Sequence, residues 1–138
     1  MIQRIQTLWL LLAGAVCVLQ LMFPMIKVDI QPLSLFLPVV LLNIAAGSSL
    51  IFALLSIFWF KKRKQQQLWC YGIILLQILV YICIGWFFHR FTQGVSVSHL
   101  EVVYYPFAFP AIVIIFTVLA ITGIRKDEKK VRDADRLR

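Results

Sequence analysis

Four long apolar stretches divide the chain, and charged residues gather only before, between and after them. The stretches cover residues 7–26 (TLWLLLAGAVCVLQLMFPMI), 37–60 (LPVVLLNIAAGSSLIFALLSIFWF), 68–88 (LWCYGIILLQILVYICIGWFF) and 104–124 (YYPFAFPAIVIIFTVLAITGI). None contains Asp, Glu, Lys or Arg. Each has roughly the 20 residues that cross about 30 Å of hydrocarbon at 1.5 Å per residue. A segment of this length satisfies its own backbone groups in lipid only as a helix. The pattern predicts an all-α membrane protein, a four-transmembrane-helix bundle. Arg4 precedes the first stretch as a basic residue precedes a secretory leader. The stretch is too long for a leader's apolar core, and no small-x-small cleavage pattern follows, so a retained span is expected.

The segments between the spans set an orientation. Arg4, the Lys61–Lys62–Arg63–Lys64 run and the tail residues Arg125, Lys126, Lys129, Lys130, Arg132, Arg136 and Arg138 all fall on one side. Only Lys27 and Arg90 fall on the other. Twelve basic residues against two predict that both termini are cytoplasmic. Trp9, Trp59, Trp69 and Tyr71 then sit at the inner interface, and Trp86, Tyr104 and Tyr105 at the outer one. The two outer loops contain period-2 alternation: Val28 and Ile30 in residues 27–34, Val95 and Val97 against Ser96 and Ser98 in residues 89–103. Alternation of β-branched residues predicts short strands, and hence a small extracytoplasmic β cap made by loops 1 and 3.

Residues 125–138 (RKDEKKVRDADRLR) mix seven basic with four acidic side chains. Glu128 with Arg132 and Lys129 with Asp133 stand at i,i+4, and Asp133 with Arg136 and Asp135 with Arg138 at i,i+3. Such pairs each favour a helix by about 0.2–0.5 kcal/mol. The fourth helix is expected to run on into the cytoplasm, with Gly123 as the point where it would bend. Domain organisation is therefore a membrane domain over 1–124 and a charged helical tail over 125–138.

Composition agrees with this solvent. Of 138 residues, 62% are hydrophobic, against about 45–50% apolar in soluble domains. A net charge of +8 concentrated on one face reads as topology and anionic-lipid contact before nucleic-acid binding. Lys61, Lys62, Arg63 and Lys64 are the lipid-contact candidates. No DNA is expected as a partner, and RNA only through the same basic face. Cys17, Cys70 and Cys83 lie inside apolar runs without metal-ligand spacing and read as small apolar side chains. Val16, just before Cys17, argues against a lipidated cysteine.

The chemistry available inside the spans is neutral. Gln20, Asn43, Ser48, Ser49, Ser56, Gln77, Thr117 and Thr122 are polar, and none is ionisable. Proton relays and pumps rest on intramembrane carboxylates, His or Lys, so no enzyme and no cofactor is expected. His89 and His99 match no zinc spacing. Pro106 and Pro110 open the fourth span, where proline is tolerated. The second span carries a small-residue ladder, Ala45, Ser49 and Ala53, with Asn43 and Gly47 beside it. Small side chains let helix backbones approach closely. With Gln77, these are the candidate helix-packing residues.

The opening MIQRIQTLWLLLA and the ending IRKDEKKVRDADRLR resemble an uncharacterised family of small four-span inner-membrane proteins of Bacteroidota, the domain of unknown function 4293 family. The resemblance implies four spans and a bacterial inner membrane, and it brings no activity. Both resembling segments are cytoplasmic on the charge count. They are expected to form one surface, with Arg4 near Asp127 and Glu128, for docking another membrane or membrane-associated protein. Candidate docking residues are Arg4, Arg125, Lys126, Asp127, Glu128, Arg132, Asp133, Asp135 and Arg136. The expected function is an accessory or structural subunit of a membrane complex. The alternative is an oligomeric small-molecule or ion transporter or channel with a polar lane of Asn43, Ser49, Gln77 and Thr117.

Overall fold

The computed structural model describes residues 2–23, 26–28, 33–59, 62–92, 100–102 and 107–136. Four helices dominate it: α1 (Ile2–Met22), α2 (Leu33–Phe58), α3 (Arg63–Thr92) and α4 (Ala108–Arg136). All four are long and apolar enough to cross a membrane. They form a closed square in which each helix packs on its chain neighbours and α4 returns to α1. The α1–α4 contact is the most extensive, followed by α2–α3.

The buried positions explain this geometry. The seam positions are Gln6, Leu10, Ala13, Cys17 and Gln20 on α1, and Leu42, Ala46, Ser49, Ala53 and Ser56 on α2, with Gly14, Ala45 and, on α4, Ile121 buried beside the seam. On α3 they are Gln66, Cys70, Ile73, Gln77, Val80 and Ile84, and on α4 Pro110, Val113, Thr117, Ala120, Ile124 and Asp127. Steps of three and four alternate throughout. That is a period of 3.5 residues, the seam of a left-handed antiparallel bundle. Small and polar residues make up most of the seam, with larger Leu10, Leu42, Ile73, Ile84 and Ile124 among them, while Leu8, Leu11, Ile44, Ile51, Leu75, Ile82 and Ile115 face outwards. A lipid-solvated bundle has this arrangement because burying Leu away from lipid gains nothing, whereas close backbone approach gains dispersion.

Two apolar clusters fill the middle: Leu10, Cys70, Ala120, Ile121 and Ile124, then Ala13, Cys17, Ala53, Ile73 and Val113. At the α2–α3 turn Trp59 stacks on Trp69, with ring centroids 5.3 Å apart, and Phe52 meets Trp69 edge-on at 4.9 Å. This is the basic end of the bundle.

At the other end the two long loops meet. Strand β1 (Ile26–Val28) pairs antiparallel with β2 (Leu100–Val102), in the register Ile26↔Val102, Lys27↔Glu101 and Val28↔Leu100. The expected pairing of loops 1 and 3 is present, but the described ladder runs through Ile26–Val28 and Leu100–Val102 and not through the alternating residues of loop 3. Val95 and Val97, on which that expectation rested in loop 3, lie outside the described residues, as do Ile30, Tyr104, Tyr105 and Pro106. α4 is one unbroken helix through Gly123 to Arg136. Its 29 residues span about 44 Å, some 14 Å more than the hydrocarbon core, so its last turns project beyond the span. Pro110 sits in its first turn, fully buried, where no intrahelical bond needs its missing N–H. The hydroxyl of Tyr81 donates to the Phe107 carbonyl at 2.9 Å beside that turn.

Candidate docking site at the basic end

Asp127 is the centre of the basic end. It occupies the last buried seam position of α4 and is only 8% exposed. A carboxylate so placed requires donors, because burying an unpaired charge is costly. The Gln6 amide of α1 donates to Asp127 Oδ2. Gln6 is itself buried and lies close under Gly123, one turn back on α4. From α3, the Arg63 guanidinium donates to the Asp127 carbonyl at 3.1 Å. Gln67 Nε2 donates to Glu128 Oε2 at 3.1 Å, and the Arg125 guanidinium donates to the Tyr71 hydroxyl. α1, α3 and α4 are thus tied together where α4 leaves the span.

This tie changes the charge that the end presents. Asp127 is turned inwards and Glu128 is half-buried, while Lys62, Lys64, Arg125, Lys126, Lys129, Lys130 and Arg132 are exposed. Asp133 is the one exposed carboxylate among the described residues of this group. A mixed sequence therefore folds into a cationic rim. Val131, 46% exposed, adds an apolar point on the projecting part of α4.

The sequence-derived docking candidates divide accordingly. Arg125, Lys126, Arg132 and Asp133 point outwards, whereas Asp127 is an internal anchor and Glu128 leans on Gln67. Arg4, Asp135 and Arg136 lie on α1 and α4, but their side chains fall outside the described set, as does Lys61. Gln6 and Gln67, which help carry the tie, escaped the sequence reading, and Arg63, expected at the lipid surface, donates to the Asp127 carbonyl instead. Gln6 had one usable signal: it is the polar member of a three-four repeat that continues through Leu10, Ala13 and Cys17.

The helix-packing candidates also divide. Ala45, Ser49, Ala53 and Gln77 are buried in the bundle. Asn43 is exposed, and a Cβ on Gly47 would meet nothing within 4 Å. Asn43 and Gly47, expected to form a ladder beside Ala45, Ser49 and Ala53, lie instead on the outward side of α2: Asn43 is two residues from Ala45 and so about 200° around the helix. The expected lane of Asn43, Ser49, Gln77 and Thr117 accordingly lacks Asn43. Thr117 Oγ1 donates to the Val113 carbonyl at 2.7 Å. Ser49 and Gln77 join Cys17 in a three-helix layer: Gln77 Nε2 donates to Ser49 Oγ at 2.9 Å, and Cys17 Sγ is 3.3 Å from Ser49 Oγ. Among the described residues no three His, Cys, Asp or Glu side chains converge.

Set beside known proteins, residues 2–137 match the model of one family, described as Domain of unknown function (DUF4293). No curated protein and no solved structure matches the chain.

Proposed function

The chain belongs to the DUF4293 family, and we propose that it is an accessory or structural subunit of a bacterial inner-membrane complex. In this reading both termini are cytoplasmic, in keeping with twelve basic residues on one side of the spans and two on the other. The observation that carries it is the anchoring of α4. The helix runs without a break from the span to Arg136, and Gln6 and Arg63 hold it at Asp127. A lipid anchor has no need of a fixed, projecting rod. A docking element does, because ordering that is complete before binding is not charged against affinity.

The exposed cations on that rod suit an acidic protein surface, with anionic headgroups beneath. The outward face of α2 around Asn43 and Gly47 offers a second contact inside the membrane, where the open space at Gly47 admits another helix. The test is light crosslinking in native membranes, mild solubilisation and mass spectrometry. The expected result is one partner at near-equal amounts, crosslinked through Lys126, Lys129 or Lys130. Charge reversal of these three lysines should abolish recovery while leaving the protein's own stability unchanged. Recovery of this chain alone, or only with itself, would refute the reading and favour the oligomeric transporter or channel.

A further inference from the structure

The Cys17–Ser49–Gln77 layer has a fixed count of protons. Ser49 has one hydroxyl proton, and it goes to the Ala46 carbonyl at 2.7 Å. Toward its other neighbours Ser49 Oγ therefore only accepts, through its two lone pairs. One receives Gln77 Nε2 at 2.9 Å and the other the Cys17 thiol at 3.3 Å. This fixes the Gln77 amide. Turned over, its oxygen would face a hydroxyl oxygen whose proton is already committed.

With the nitrogen on Ser49, Gln77 Oε1 is left buried without a donor. Gln20 Oε1 is buried without a donor as well. Gln20 stands one turn along the α1 seam from Cys17, whose sulfur is 3.9 Å from Gln77 Nε2. Both side chains are more than nine-tenths buried. Two amide oxygens thus lie without donors near one layer of an apolar bundle, and the Ser49, Cys17 and Gln77 protons of that layer are already committed. Buried acceptors of this kind are satisfied in native proteins by ordered water when protein donors are lacking.

We propose that Gln20 and Gln77 form an internal hydration site, oriented by Ser49 and Cys17, that takes a neutral donor of two hydrogen bonds, and that this donor is water. An alkali cation fits less well. Its oxygen ligands would all be neutral, and the spans supply no carboxylate to offset the charge. The Leu10, Ile73, Ala120 and Ile124 packing lies between this site and the basic end. The site stands independently of the docking reading.

X-ray radiolytic footprinting of the intact protein in lipid nanodiscs, in ¹⁸O-labelled water, tests it. Ordered water yields hydroxyl radicals in place, and a neighbouring thiol records them. Cys70 is the internal control: it is as buried as Cys17 and bonds Ser56 at 3.4 Å, with neither unpaired oxygen belonging to its layer. Cys17 should acquire ¹⁸O several-fold faster than Cys70, and Gln20→Met should bring it toward the Cys70 rate. Equal rates in the wild-type protein would overturn the proposal. So would a Gln20→Met variant with a raised Tm and unchanged Cys17 labelling, since removing an oxygen that nothing satisfies should stabilise the bundle. The wild-type comparison decides the matter even where a variant fails to fold.

Discussion

Gly123→Ala sets two known effects against each other at one position. In an ordinary helix interior the change favours folding by about 0.8–1.0 kcal/mol. Here a Cβ would stand 2.9 Å from Gln6 Cγ, with Gln6 Nε2 at 3.6 Å. Cγ is the second side-chain carbon, so moving it means changing the first torsion, which swings the whole amide away. The Gln6 hydrogen bond to Asp127 is then lost. A bond to a charged group contributes about 1.5–3 kcal/mol, and its loss leaves the carboxylate buried and short of a donor. The bond outweighs the propensity, so Gly123→Ala should destabilise by about 1–2 kcal/mol, a factor of roughly 5–30 in the unfolding equilibrium. In a Gln6→Ala background the clash and the bond are both gone, and the same substitution should stabilise by about 1 kcal/mol. Equilibrium unfolding in SDS mixed micelles, followed by tryptophan fluorescence, measures all four corners of this double-mutant cycle. A neutral or stabilising Gly123→Ala in the wild-type background would refute the reasoning.

Two further predictions concern glycines in other surroundings. A Cβ on Gly72 would come within 2.8 Å of the Phe52 ring, which is held edge-on by Trp69; overpacking of about 1–3 kcal/mol exceeds the propensity gain, so Gly72→Ala should lower Tm. Gly14 and Gly47 form a contrasting pair. Gly14 faces Leu50 at 3.7 Å and Ala53 at 4.0 Å, so Gly14→Leu should push α1 from α2 and cost about 1–3 kcal/mol. Gly47→Leu should leave the unfolding free energy within about 1 kcal/mol of wild type and weaken only recovery of a partner. A large loss of stability at Gly47 would show that its face is already occupied within the bundle.

How much of this was legible in the sequence follows from the solvent. Four uninterrupted apolar runs announced four spans because lipid demands that length. They did not announce which side of each helix faces in, because Leu8, Ile44, Leu75 and Ile115 are as apolar as anything inside. The facing signal is carried by the small and polar minority, Ala13, Cys17, Gln20, Ser49, Ala53, Ser56, Gln77 and Thr117, at alternating steps of three and four. Reading the Asn43–Gly47 ladder as a packing face missed that rhythm, since Asn43 stands two residues from Ala45 and a step of two crosses the helix. The tail's helicity was legible from its i,i+4 charges. Its anchoring was not, since nothing local in Asp127 reveals that Gln6, 121 residues away, will donate to it.

That separation has a consequence for how the protein is made. The first and last helices share the largest contact in the bundle, and their polar tie joins residues 6 and 127. At roughly 5–20 residues per second, synthesis of the intervening 121 residues takes about 6–24 s. Until then α1 waits in the bilayer with its seam half-covered and Gln6 without Asp127. The ring closes only when the C-terminal segment has left the ribosome. Closure therefore reports that the chain has been read through Asp127, and a product truncated before it would remain an open, recognisable target for membrane quality-control proteases.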